Sequence, residues 1–317
     1  MPTSPFLVAV VQRPPVLLDR DATLKKAVEH LHEAADAGAR LLVFPETYVP
    51  GYPVWIWKLR PGSDYDLSDA IHRELLDNSV DLVADDLRAL REAAAQREVV
   101  VVCGVHERDG EHSRATIYNT LVTIGTDGTI LNLHRKLVPT NPERMVWGYG
   151  DARGLRVVDT PIGRLGGLIC WENYMPLARY ALYAEGVEIY VASTWDEGDT
   201  WIASMRHIAA EGRCWVIGAG CSMHASDVPA GFPQREHVFP RPDQWLNAGD
   251  SVVVAPGGEI IAGPLHEEHG LLLAEIDPHR SAGEHRTLDV AGHYSRNDIF
   301  RLTIDRAPQE PLRFDSP

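Results

Sequence analysis

Short apolar runs alternate with amphipathic stretches from one end of this chain to the other, and that rhythm limits the fold more than any other feature. Residues 6–11 read as a buried strand, and residues 21–38 as an amphipathic helix stopped by glycine. Residues 40–44 form the next expected strand, and 79–97 a helix with Leu82, Leu87 and Leu90 on one side. A strand at 99–105 precedes a hairpin of 118–124 and 129–136, turning at Thr126-Asp127-Gly128. Strands are expected at 156–159 and 164–169, a helix at 177–186, a strand at 188–192, a helix at 200–212 and a strand at 215–220. A second hairpin, 251–255 with 259–262, turns at Pro256-Gly257-Gly258, and 271–276 closes the pattern. The alternation predicts one continuous α/β domain over residues 1–300, with mixed β-sheets covered by helices, and a short tail at 301–317. Residues 52–69, rich in Trp and Pro, and the long polar stretch 224–247 break the rhythm. Long loops in compact domains are usually functional or interfacial.

Bulk properties narrow the partners. The net charge is −15, from 30 Lys+Arg against 45 Asp+Glu, and no Lys/Arg run interrupts it. That balance argues against nucleic acid and against an anionic membrane surface. No apolar run approaches membrane-spanning length, and Met1-Pro2-Thr3-Ser4-Pro5 lacks the features of a signal peptide. Cys103, Cys170, Cys214 and Cys221 show no zinc-ligand spacing, and Cys214 and Cys221 flank a strand at opposite ends. A reducing compartment fits, so a cytoplasmic location is expected. His266-Glu267-Glu268-His269 departs from the spacing of helical zinc sites and reads as a solvated turn. No metal and no cofactor is expected.

The chemistry concentrates where strands end. The run Gly166-Gly167-Leu168-Ile169 leads into Cys170-Trp171-Glu172-Asn173, with a helix expected from about Pro176. A lone cysteine is usually a small core hydrophobe. At a strand-to-helix turn its sulfur points out of the backbone, and the helix N-terminus favours the thiolate. The strand at 41–44 runs into Pro45-Glu46-Thr47, and the first hairpin ends at His134-Arg135-Lys136. An acid, an amine and a thiol on one rim of a sheet can converge on a small volume.

These segments resemble the nitrilase superfamily of carbon-nitrogen hydrolases. The matching motifs are Phe44-Pro45-Glu46-Thr47-Tyr48, His134-Arg135-Lys136-Leu137-Val138-Pro139-Thr140 and Cys170-Trp171-Glu172-Asn173-Tyr174-Met175-Pro176. Supporting matches are Glu143-Arg144-Met145-Val146-Trp147-Gly148, residues 190–196 and His293-Tyr294-Ser295-Arg296, so the similarity runs from about Val8 to Phe300. The Cys-Trp-Glu form is more typical of true nitrilases than of amidases or carbamoylases. The resemblance implies an α-β-β-α sandwich, a Glu46–Lys136–Cys170 triad, and Glu143 as a second acid beside the lysine. It implies hydrolysis of a small-molecule nitrile to carboxylic acid and ammonia. Self-association as a dimer or higher oligomer is also implied, through the helix after the nucleophile, with Tyr180, Leu182 and Tyr183 available at the contact. The tail after Phe300 is short beside the long extensions of many relatives.

Other readings share these residues. An amidase, an N-carbamoyl hydrolase or a cyanide-hydrolysing enzyme can use the same triad. His134, two residues before Lys136 on a strand, shares its face and offers a Cys-His mechanism. A catalytically silent scaffold would lack one of the three residues, and all are present. Trp147, Trp171, Tyr174 and Trp195 are candidates to wall an apolar substrate pocket; core packing is the alternative, equally weighted for Trp195, and the backbone N–H of Trp171 is a better functional candidate than its ring.

Overall fold

The computed structural model describes residues 4–308; the ends of the expected domain and tail, 1–3 and 309–317, lie outside the described residues. Strands β1 (Phe6–Gln12), β2 (Ala39–Val43), β3 (Val100–Arg108), β4 (Ile117–Ile124) and β5 (Ile130–Arg135) come first. Strands β6 (Val158–Thr160), β7 (Gly163–Ile169), β8 (Ile189–Thr194), β9 (Trp215–Gly220), β10 (Ser222–His224), β11 (Trp245–Ala255) and β12 (Glu259–His266) follow, and β13 (Gly270–Ile276) returns to pair with β1. One sheet runs β13-β1-β2-β3-β4-β5 and the other β10-β11-β9-β8-β7-β6, with β12 on β11. Both sheets are mixed: β1-β2-β3 and β7-β8-β9 are parallel, and the flanking pairs are antiparallel.

Strand side chains alternate between faces, and both faces of these central strands are covered. Val8 and Val10 of β1 meet Ile189 and Val191 of β8 in a core shared by the two sheets. Ala9 and Val11 face outward onto Leu24, Ala27 and Leu31 of helix α1 (Arg20–Asp36). Tyr190 and Ala192 face the opposite way, toward the other helical layer. The order of layers is therefore helix, sheet, sheet, helix, as the motif resemblance implies. Burial on both faces explains why these strands read as continuous apolar runs. The crossovers that make the strands parallel are helical: α1 joins β1 to β2, capped by Asp19, whose carboxylate accepts from the Ala22 amide at 2.9 Å.

Several local expectations are corrected. The helix expected over 79–97 is two features. Val80 bridges to Glu107, Asp81 and Asp86 accept amide hydrogens in a turn, and the helix itself covers only Arg88–Arg97. A helix not expected from the sequence, α2 (Tyr65–Asp77), precedes it, and the Arg88–Arg97 helix is α3. Residues 52–69 are not a free loop, because they hold a 3₁₀ turn (Val54–Trp57) and the start of α2. Residues 224–247 likewise contain a 3₁₀ turn (Ala225–Asp227), a helical turn (Arg235–Val238) and the first residues of β11. The two segments pack on each other: Trp55 and Ile56 share a buried cluster with Phe232, Val238 and Phe239. Together they form a cap over one end of the sandwich. The expected 177–186 helix is α4 (Pro176–Ala184), and α5 (Asp199–Gly212) follows β8. Leu182 and Tyr183 are already buried against their own sheet, so they are not available to a partner; Leu177 is 66% exposed.

Candidate active site

Glu46, Lys136 and Cys170 each stand just beyond the end of a strand. Phe44 continues the pairing of β2 by donating its amide to Val102 O at 2.8 Å, and Glu46 follows. The backbone of Pro45–Thr47 then crosses β3 so closely that a Cβ on Gly104 would lie 2.4 Å from Pro45 O and from the Thr47 amide. Only glycine fits there. Lys136 follows β5, its amide bonded to Asn119 O on β4 at 2.7 Å. Cys170 follows β7 and opens a 3₁₀ turn (Cys170–Tyr174), after which the α-helix starts at Pro176, as expected. Its φ of 51° is left-handed, as are those of Thr47 (44°) and Asn141 (45°). Such conformations cost about 1–3 kcal/mol each and persist only where surrounding contacts impose them. Ser193 Oγ, on the neighbouring strand β8, donates to Phe44 O at 2.9 Å, fastening the two sheets beside the cluster.

The side chains meet in a buried set of contacts. Lys136 Nζ donates to Glu46 Oε1 and to Glu143 Oε2, each at 2.7 Å. Glu46 Oε1 also accepts from Asn119 Nδ2 at 2.7 Å, and Oε2 from the Trp195 amide at 2.8 Å. Glu143 lies in a 3₁₀ turn (Asn141–Met145) and reaches back to accept the Thr140 amide at 2.6 Å. Its other oxygen accepts from the Tyr52 hydroxyl at 2.7 Å. Cys170 is buried beside them, within the electrostatic reach of Glu46, Lys136 and Glu143.

Electrostatics follow from burial and pairing. Burial works against the Lys136 charge, and the negative groups around it, led by Glu46, overcome that and hold the ammonium above the ordinary lysine range. Burial lifts the Glu46 carboxyl above the usual carboxylate range, against the pull of Lys136. Burial, then the Glu46 charge, pushes the Cys170 thiol up, with Lys136 opposing. The expectation that a helix N-terminus lowers this thiol is therefore corrected. The resting group is a thiol beside a carboxylate strengthened as a base.

The candidate aromatics divide. The Trp147 ring lies 5.4 Å from Lys136 Nζ, and its indole N–H donates to His106 Nδ1 at 3.0 Å. Trp195 stacks on Tyr52, centroids 4.4 Å apart and planes 7° apart. Trp171 and Tyr174 instead lie on the exposed rim, both donating to Asp196 Oδ2. His134 does not face the cluster. Its Nε2 donates to Glu172 Oε2 at 2.9 Å in a buried pair, which removes it as a base for Cys170. Sequence reasoning missed Tyr52, Asn119 and His106, whose partners are distant in the chain. The Gly51-Tyr52-Pro53 step beside a tryptophan-rich run was the one available signal for Tyr52. His266 and His269 diverge rather than cluster: His266 pairs with Asp250, and His269 bonds Ser222.

Comparison with known proteins identifies the family and the fold. A family model described as carbon-nitrogen hydrolase matches residues 7–283. A bifunctional nitrilase/nitrile hydratase of Lupinus angustifolius is 40% identical over 97% of this chain and 88% of its own length. An aliphatic nitrilase of Sinorhizobium fredii is 38% identical, covering 97% of this chain and 98% of its own. Among solved structures, a carbon-nitrogen hydrolase from Helicobacter pylori superposes with a TM-score of 0.69 at 20% identity, covering 93% of this chain and 97% of its own.

Proposed function

The chain belongs to the carbon-nitrogen hydrolase family, and from that premise we propose that it is a nitrilase, converting an organic nitrile to its carboxylic acid and ammonia. The observation that carries the reading is Lys136 Nζ held at 2.7 Å by both Glu46 and Glu143 beside a buried Cys170. The nitrilases among its relatives support the substrate class.

A nitrile carbon is a weak electrophile with no leaving group, so a strong soft nucleophile is needed. Glu46 takes the Cys170 proton as sulfur attacks, and the nitrile nitrogen receives a proton to give a thioimidate. Water adds with Glu46 again as base, and ammonia leaves the tetrahedral intermediate as a thioester forms. A second water releases the acid and restores the thiol. Lys136 offers fixed positive charge where negative charge develops, and the amide after Cys170, at the start of a 3₁₀ turn, is a second donor without an intrahelical partner. Glu143 holds Lys136 in place and keeps it charged. Trp147 and Trp195 border this volume and form its apolar wall.

When the tetrahedral intermediate expels sulfur instead of ammonia, an amide emerges. The pairing of nitrilase and nitrile hydratase in the name of the lupin relative favours some amide alongside the acid. Incubating the purified protein with a nitrile panel and an amide panel, and measuring ammonia, acid and amide, tests the assignment. Ammonia from amides alone would refute it in favour of an amidase or carbamoylase.

The same reading treats residues 1–300 as one hydrolase domain, supported by the match over 7–283 and by the core shared between the sheets. Self-association is proposed along α4, now through exposed Leu177 and half-buried Tyr180 rather than Leu182 and Tyr183. Gel filtration giving only a monomer of 35.1 kDa contradicts it. A cytoplasmic location is supported by four unpaired, buried cysteines. No described helix is long and apolar enough to cross a membrane.

A further inference from the structure

The mechanism above uses Glu46, Lys136, Glu143 and Cys170 and leaves one buried carboxylate unexplained. Glu172 is 1% exposed and belongs to the turn that carries the nucleophile. Its Oε2 accepts from the Ile169 amide at 2.7 Å, one residue before Cys170. Its Oε1 accepts from the Leu137 amide at 2.6 Å, one residue after Lys136. The His134 ring donates to Oε2 at 2.9 Å, from two residues before Lys136. A helical turn needs only the first of these contacts, the reach back to its N-cap amide. The other two cross from β7 in one sheet to the end of β5 in the other. Glu143 makes the same reach back, to Thr140, but spends its remaining contacts on the lysine and Tyr52.

We propose that Glu172 is a positioning residue that sets the spacing between the Cys170 sulfur and the Lys136 ammonium, with His134 holding its carboxylate in place. Burial alone raises this carboxyl, and His134 with the two amides reverses that, holding it below the ordinary carboxylate range. It is therefore an anion at neutral pH, able to accept on both oxygens. Both residues that carry the chemistry are one covalent step from an amide this anion holds. The turn is closed independently by Asn173, whose side chain donates to Cys170 O at 2.8 Å and accepts from the Tyr190 hydroxyl at 2.8 Å. The local fold of the nucleophile thus does not depend on Glu172 alone, whereas its distance to the lysine does.

The inference rests on the reading that sulfur and ammonium act on one substrate, so the test separates reactions that need both from one that needs sulfur alone. Nitrile turnover, normalised to titratable Cys170, needs both; alkylation of Cys170 by iodoacetamide needs only the thiol and its base. Glu172→Gln presents an amide N–H toward a backbone donor and breaks one of the two ties. For this variant kcat per titrated thiol should fall about 100-fold, while KM and the alkylation rate stay within about threefold. An unchanged kcat, or kcat and alkylation falling in the same proportion, overturns the proposal. If Glu172→Gln does not fold, His134→Phe decides. A kcat about tenfold lower with alkylation unchanged supports the tie, and His134→Gln, which can still donate, should recover part of it. Unchanged turnover in His134→Phe overturns it. Wild-type enzyme without nitrile turnover would instead refute the functional reading and leave the tie to be measured on amide substrates by the same ratio.

Discussion

The reacting cluster and the cap above it are built on opposite principles. The cluster consists of buried charged groups held by one another, by backbone amides and by neutral side chains. The cap, from residues 52–77 and 224–239, is held by apolar contacts such as Trp55 on Phe232, 5.8 Å between centroids. Its hydrogen bond to the ions, among the described residues, is the Tyr52 hydroxyl on Glu143. The contrast teaches that the sandwich carries the reacting groups, while the cap meets them through Tyr52, by its hydroxyl on Glu143 and its ring on Trp195 and Trp147.

The largest effects should come from the cluster. Cys170→Ala should reduce nitrile turnover by about 10⁶-fold, to background ammonia release, since nothing else can form the thioester. Lys136→Met should lower kcat by about 10²–10³-fold, as loss of one fixed electrostatic donor does. It should also destabilise the fold by about 3–5 kcal/mol, because Glu46 and Glu143 remain buried without their counter-ion. Calorimetry beside turnover checks both. A Lys136→Met enzyme that keeps its thermal midpoint would mean the acids are less buried than the geometry places them.

The next effect tests the Tyr52 contact. Tyr52→Phe keeps the ring stacked on Trp195 and removes only the hydroxyl that donates to Glu143 and accepts from Trp57 Nε1 at 3.0 Å. A fall in kcat of about tenfold, or about 1.4 kcal/mol, is expected, with the pH profile shifted because Glu143 and Glu46 share Lys136. The wild-type profile should lose activity on acidification at a pH above the ordinary carboxylate range, because Glu46 must be ionised to act as base and burial raises it. An acid limb below that range would remove Glu46 from the role.

How much was legible in the sequence follows the same division. Glu46, Lys136 and Cys170 stood out locally as chemically sharp residues at strand ends, but it was the motif resemblance that joined them into a triad. Glu143 came from the motif, since nothing local says that a glutamate after Asn141-Pro142 turns back toward a lysine. The cap was not legible. Tyr52 and Glu143 are 91 residues apart, and the packing of Trp55 on Phe232 has no local signature. Leu67, Ile71 and Leu75 do repeat at helical spacing within α2, but the Trp- and Pro-rich stretch before them masked it. The helix expected over 79–97 began too early because Leu82 fits the period, although Asp81 and Asp86 tie that stretch into a turn before Arg88–Arg97. Periodicity could not detect those side-chain-to-backbone bonds.

A smaller effect concerns stability beneath the cluster. His106 is fully buried, accepts from Trp147 Nε1 at Nδ1 and donates from Nε2 to Gly51 O at 3.0 Å, so it is neutral. Burial pulls its pKa from 6.5 to about 3. Between those values the unfolded chain binds the proton and the native one does not, so stability is complete above 6.5 and declines as pH falls toward about 3. The thermal midpoint should drop over that window. His106→Gln should start lower at pH 7 and show a shallower acid slope; an equal slope would place the acid lability elsewhere.

The smallest effect is expected where sequence proximity to the nucleophile is greatest. Trp171 follows Cys170 directly and Tyr174 closes the same turn, which makes both tempting as pocket walls. Their rings point outward and share Asp196 as acceptor, at 3.0 and 2.9 Å. Surface groups of this kind usually change stability or binding by no more than about 0.5 kcal/mol, so Trp171→Phe and Tyr174→Phe should alter kcat and KM by about twofold or less. The contribution of residue 171 to the reaction is then its backbone amide, which neither substitution touches. A tenfold rise in KM for Trp171→Phe on an aromatic nitrile, with kcat unchanged, would show that the rim folds inward over bound substrate. It would also make the division between cluster and cap incomplete, because a third surface would then set selectivity.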